Sequence, residues 1–204
     1  MNLGYLADAL DHWKGCVIKE IDERLNDLHV IPMFTDEDIH SSWPNDRLRL
    51  YAKLLHVPQD KILQSDTRFT ATTRQEYFAA IADDDQLRDK DFFIDPDIGI
   101  EPEKGGNWRH IRLSDISALL RLGNKRVILI YQHASHRSDW SNACLQRLVN
   151  YDDAGGINAF AYWAGAASMF LLSRDRRRMD SLHRSFSKVF YSRRLSQILP
   201  NSSL

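Results

Sequence analysis

Residues 127–172 read VILIYQHASHRSDWSNACLQRLVNYDDAGGINAFAYWAGAASMFLL, and this stretch decides the fold. Val127-Ile-Leu-Ile-Tyr131 is an unbroken apolar run, the form of a strand buried on both faces. A helix follows from about Ser141 to Tyr151. After Gly155-Gly156, two β-like runs, Ile157 to Trp163 and Ser168 to Leu172, flank Ala164-Gly-Ala-Ala167, which is the pattern of a hairpin. Upstream, Asp91-Phe-Phe-Ile-Asp95 is a second apolar run, here ending in an acid at what should be the strand's carboxyl edge. Between the two runs Ser114 caps a helix through Leu119, Leu120 and Leu122, closed by Gly123-Asn124. Strand, helix, strand, helix and a terminal hairpin predict an α/β fold. Its sheet is Rossmann-like and mostly parallel, flanked by helices and finished by an antiparallel edge.

The remaining chain supports this frame. Leu6, Leu10, Trp13, Val17, Ile21, Leu25 and Leu28 recur at three and four, one stripe of a long helix, with Asp8, His12, Cys16 and Lys19 on the other side. His29 to Phe34 reads as a short strand with Pro32 inside it, and Thr35-Asp-Glu-Asp38 as the turn at its end. Asn45 opens a helix that Pro58 stops, a short helical segment runs to Leu63, and Thr72 or Thr73 caps a helix carrying Tyr77, Phe78 and Ile81. No convincing pair of strands lies between Phe34 and Phe92, which predicts a sheet smaller than usual. Residues 1–204 form one α/β domain, of which 173–204 is a basic C-terminal helical segment with Met179, Leu182, Phe186, Val189, Phe190 and Leu195 in helical register.

Composition bounds the function. The 204 residues are 43% hydrophobic and 27% charged with a net charge of -1, an ordinary globular mix. Nine Gly and six Pro leave few tight turns, against an all-β sandwich. No window approaches the ~20 apolar residues of a membrane span, and the N-terminal residues lack a basic n-region and an apolar core, which predicts a cytoplasmic protein with no membrane partner. Cys16 and Cys144 show neither disulfide nor zinc spacing. The chain has no Gly-x-Ser-x-Gly elbow, P-loop or dinucleotide fingerprint. Its neutrality conceals an asymmetry: from Ser173 onward seven arginines and Lys188 face Asp175 and Asp180, a net +6, while the preceding residues carry -7.

Two strings carry a family resemblance. Asn2-Leu-Gly-Tyr-Leu-Ala-Asp-Ala-Leu-Asp-His12 resembles the N-terminal segment of the J-type large-subunit ribosomal RNA adenine-N6 methyltransferases, matching at Asn2, Gly4, Ala7, Asp8, Leu10 and His12. Where that family has a Lys before the His, this chain has Asp11. Phe92-Phe-Ile-Asp-Pro-Asp97 is similar to the family's Asp-Pro-Pro-Tyr motif at Asp95 and Pro96, and departs from it at Asp97 and Ile98. The three-cysteine-motif partner proteins have a similar order of elements. The resemblance implies a methyltransferase-like fold ending in the hairpin, S-adenosylmethionine as cofactor near Asp8, Thr35 and Asp36, and Asp95 as the central acid. The usual cofactor turn is glycine-rich, whereas Phe34-Thr-Asp-Glu-Asp38 has no glycine, so the cofactor route is remodelled or lost.

The residues themselves leave three readings open. Asp95 and Asp97, followed by Glu101 and Glu103, gather carboxylates at a strand edge, with His12, His133 and His136 as acid–base partners and Asp8 four residues before His12. The first reading is a methyltransferase-like protein acting on or binding nucleic acid or a nucleotide. The second is a metal-dependent phosphodiesterase in which Asp95 and Asp97 hold Mg²⁺ or Mn²⁺. The third is a non-catalytic interaction or inhibitor protein on a degenerate enzyme scaffold, with a protein partner. Nucleic-acid contacts would come from Arg109 and Arg137 in loops at the site and from Arg176, Arg177, Arg178 and Arg184 in the basic segment.

Overall fold

The computed structural model describes residues 6–35, 45–133, 140–151, 156–190 and 194–199. In chain order these form α1 (Ala9–Ile21), β1 (His29–Ile31), α2 (Asn45–Leu54), α3 (Arg74–Ala82), β2 (Phe92–Ile94), β3 (Gly99–Ile100) and β4 (His110–Ile111). They continue as α4 (Leu113–Arg121), β5 (Val127–His133), α5 (Trp140–Tyr151), β6 (Asn158–Trp163), β7 (Ala167–Ser173) and α6 (Arg176–Val189). The main sheet is mixed, in the order β1-β2-β5-β7-β6. β1, β2 and β5 pair in parallel, while β7 is antiparallel to both β5 and β6. Four of the five strands therefore point one way, and β7 alone is reversed.

Alternation along each strand builds two cores. Phe93, Leu129, Phe160 and Leu171 face α1, α2 and α6 through Val17, Tyr51, Leu55, Met179 and Phe186. Phe92, Ile94, Ile128, Ile130 and Phe170 face α3, α4 and α5 through Tyr77, Ile116, Leu119, Leu145 and Leu148. The result is an α/β sandwich with helices on both faces. α1 and α2 cross closely at Gly15, where a Cβ would stand 1.8 Å from the Leu54 carbonyl oxygen. No helix among the described residues is long and apolar enough to cross a membrane.

Several boundaries differ from the sequence reading, each for a local reason. α1 stops at Ile21 in a 3-10 turn over Asp22–Arg24, so Leu25 and Leu28 pack from the loop and not from the helix. Pro32 ends β1, since it has no N–H for the ladder. Ser114 lies inside α4, whose first turn is closed by the Asp115 carboxylate accepting from Arg112 N at 3.0 Å. The basic segment is helical only to Val189, and residues 195–199 instead run antiparallel beside β6 through Leu199 and Ala159, covering that sheet edge. The short β3–β4 pair was not legible from two-residue strands. It is tied to β5 by Gln132, whose Oε1 accepts from Ile100 N at 2.5 Å and whose approach leaves room only for a glycine at 99 (φ +127°). No strand occurs among the described residues between β1 and β2, in line with the small sheet expected.

At the amino edge of the sheet the fully buried Asp91 gathers four donors. Val127 N and Asn26 N lie at 2.7 and 2.6 Å, and Arg178 of α6 forks onto both carboxylate oxygens at 2.9 and 2.7 Å. Arg178 also donates to the carbonyls of Lys125 and Arg24, so the guanidinium read from sequence as a nucleic-acid contact is engaged in fastening α6 to the sheet. Beside it the buried Arg126 lies over the Phe92 ring at 4.2 Å, with burial pushing its guanidinium pKa down to about 10. Removing one member of a buried pair strands the other charge. Arg178→Ala should therefore cost about 3–5 kcal/mol in urea unfolding, whereas Arg177→Ala should stay within about 0.5 kcal/mol of the parent. Equal effects would contradict the anchoring role.

Candidate functional site

The carboxyl edge of β2 and β5 carries a cleft of about 320 Å³ lined by Asp8, Leu10, Asp11, Lys14, Asp95, Pro96, Asp97, Arg109, Tyr131 and His133. α1 forms its roof. Asp8 is the helix N-cap, its Oδ1 accepting from Leu10 N at 2.8 Å and Asp11 N at 2.9 Å. That cap aims the first turns of α1 so that Asp11 and Lys14 point down onto the strand ends. Asp11 in turn accepts from Ala7 N at 2.9 Å, holding Ala7 in the left-handed region at φ 71°.

The floor is a buried ion cluster. Lys14 Nζ lies 3.0 Å from Asp11 Oδ1 and 3.0 Å from both oxygens of Asp95, and Tyr51 Oη donates to Asp95 Oδ2 at 2.8 Å. Lys14, Asp11 and Asp95 are only 3%, 2% and 0% exposed. The Lys14 ammonium also sits 4.1 Å from the centre of the Tyr131 ring. Burial alone would push the Lys14 pKa down, but Asp95 and then Asp11 outweigh it and hold the ammonium above the ordinary lysine range. Burial raises Asp11, with Lys14 drawing it part of the way back. Burial and then Asp95 raise Tyr51 and Tyr131, which stay protonated donors. At the mouth, Arg109 forms an ion pair with Asp97. His133 Nδ1 lies 3.3 Å from Tyr131 Oη, and burial followed by the nearby Lys14 lowers its imidazole pKa, which favours the neutral ring.

The structure thus brings together Asp8, Asp95, Asp97, Arg109 and His133 of the residues singled out from sequence. His12 is exposed and does not line the cleft. The acid–base pair read for Asp8 and His12 is not formed, because the Asp8 carboxylate is turned back to cap its own helix. Thr35 is buried in the segment that follows β1 and is not among the lining residues. Asp36, His136 and Arg137 lie outside the described residues. Glu101 pairs with Arg112 at 3.8 Å and Glu103 is exposed, so neither joins the cleft. Trp108 turns toward Phe69, 6.5 Å between ring centres, and leaves Arg109 as the loop's contribution. Arg176, Arg177 and Arg184 are exposed on α6, away from this lining.

Sequence reading missed Lys14, Asp11, Tyr51 and Tyr131. For Lys14 the signal was present: it falls four residues after Leu10 and three before Val17, a cation on the apolar stripe, which is rare without a buried partner.

Among the described residues no three His, Cys, Asp or Glu converge to hold a metal ion. Asp95 is taken by Lys14 and Tyr51, and Asp97 by Arg109, so these two carboxylates do not fit the Mg²⁺ or Mn²⁺ site of the phosphodiesterase reading. Compared with models of protein families, with curated proteins and with solved structures, the chain matches none.

Replacing Lys14 by Met should leave two buried carboxylates facing each other and cost about 3–5 kcal/mol at pH 7. Stranded acids have folded pKa values above their unfolded ones, so the folded state binds more protons and is stabilised as pH falls. The deficit of Lys14→Met against the parent should accordingly shrink between pH 7 and about 5 in denaturant titrations. A deficit independent of pH would show that the ammonium does not compensate these acids.

Proposed function

We propose that the chain is a methyltransferase-like protein that acts on or binds nucleic acid, with its cleft taking S-adenosylmethionine by a remodelled route. The observation that carries this reading is that the two strings resembling the adenine-N6 methyltransferases, far apart in sequence, line one cleft through Asp8, Leu10, Asp95 and Pro96. The reversed strand β7 between β5 and β6 agrees with it, since class I methyltransferases also end their sheets in a hairpin. Electrostatics agree as well. Asp8, Asp11, Asp95 and Asp97 face Lys14 and Arg109, with His133 neutral, and this excess of carboxylate suits a ligand bearing sulfonium and ammonium charges.

S-adenosylmethionine, when bound, supplies the methyl group. The chain's own residues have separate tasks around it. Asp8 and Asp97 give the walls their negative charge, the Asp97–Arg109 pair bounds the mouth, and the neutral His133 accepts a proton at the imidazole. Asp95 holds Lys14 and Tyr51 and so anchors α1 and α2, in place of holding a substrate amine. That occupancy favours a second reading, a binding protein built on the same scaffold in which methyl transfer is absent.

Titration calorimetry separates them. S-adenosylmethionine should bind more tightly than S-adenosylhomocysteine, which lacks the sulfonium charge, by roughly tenfold. Asp8→Asn keeps the helix cap, because Asn caps as well as Asp, and should erase most of that preference without loss of stability. Absence of heat with either compound would sink the cofactor reading and leave the binding protein.

A further inference from the structure

α6 leaves β7 at the amino edge of the sheet and returns to the carboxyl edge, where Phe190 stands 4.7 Å from Tyr162, ring centre to ring centre. Its inner face is settled by the buried Met179, Leu182, Ser185 and Phe186. Its outer face is sorted by charge. Arg178 is turned in to Asp91, and Arg176 is neutralised by Asp180 at 3.0 Å. Arg177, Arg184 and Lys188 are exposed and form no ion pair among the described residues. At 100° and 1.5 Å per residue these three fall within about 40° of one line and span about 16 Å along the helix.

Two residues past Lys188, Phe190 turns to the inner side of α6, 4.9 Å from Phe186, and opens a series of rings that continues to the cleft. Tyr162 stacks on Trp13 with 6.1 Å between centres and 18° between planes, and Trp13 lies 6.3 Å from Tyr131 in the cleft wall. Trp13 and Phe190 keep part of their surface exposed. A file of cations with no ion pair among the described residues, followed past its end by the partly exposed rings of Phe190 and Trp13, is a combination that can hold a single strand, phosphates on the cations and bases on the rings.

We infer that the outer line of α6 is a track for the sugar–phosphate backbone of single-stranded nucleic acid, leading an unpaired base across Phe190 and Trp13 toward the cleft. This rests on the proposal that the cleft serves a nucleic acid, and it adds the surface and the strand state. A duplex would present phosphates to the same cations but would keep its bases from the rings. An acidic peptide would use the cations alone.

The test uses the full chain and fluorescence anisotropy with an oligothymidylate strand long enough to span the helix and the cleft. Three phosphate contacts predict that log affinity falls with log salt at a slope of about -2. The combined substitution Arg177→Ala, Arg184→Ala and Lys188→Ala should lower affinity by at least roughly tenfold and flatten that slope, with unfolding unchanged. Trp13→Leu should weaken binding while the slope stays. The track is overturned if the parent does not bind the strand, if the triple variant binds as the parent does, or if a duplex of equal length or polyglutamate binds as tightly as the strand. The same triple variant should bind S-adenosylmethionine as the parent does. Loss of strand binding in that variant supports the track whether or not the cofactor binds, so the two proposals fail separately.

Discussion

Asp95 with Lys14 is the interaction on which the site depends. It joins residues 81 positions apart in a place where neither charge reaches water. A lone buried carboxylate or ammonium costs several kcal/mol, so neither is tenable without the other, and Asp11 on Lys14 and Tyr51 on Asp95 each add one contact. Because Lys14 comes from α1 and Tyr51 from α2, satisfying one aspartate at the end of β2 positions two helices over the sheet. The cleft is the space left between that roof and the strand ends.

The same logic operates at the other end of β2. Asp91 and Asp95 bracket Phe92-Phe-Ile94, both without exposure, and each is gripped by a cation from a helix, Arg178 of α6 at the amino edge and Lys14 of α1 at the carboxyl edge. β2 is thereby the point to which the α1–α2–α6 layer is referenced from both sides. The arrangement divides the arginine-rich segment into two functions. Arg178 anchors the helix, and Arg177 and Arg184 face solvent.

Much of the architecture was legible because it rests on local pattern. The apolar run at Val127 to Tyr131, the Ala164-Gly-Ala-Ala167 turn between two β-like runs, and the lack of strands between β1 and β2 all express period and turn chemistry. What escaped depends on distant partners. Helical spacing puts Lys14 on the buried stripe, yet only the fold supplies Asp95 to receive it. Spacing likewise cannot tell Arg178, which meets Asp91, from Arg177 beside it. His12 looked suited to Asp8 at four residues' distance, but Asp8 has backbone amides within closer reach. Leu195 kept the helical apolar rhythm, yet residues 195–199 run extended beside the edge of β6, bridged to it at Leu195 and Leu199.

Asp95 and Lys14 are held by each other and act as one structural unit under the cleft. A double-mutant cycle on unfolding free energy with Lys14→Met and Asp95→Asn measures that coupling. Each single change should be strongly destabilising, and the double variant should recover a coupling of at least about 2 kcal/mol, since neither charge is then stranded. Additive effects within about 0.5 kcal/mol would contradict it, and would mean that the two charges are compensated independently.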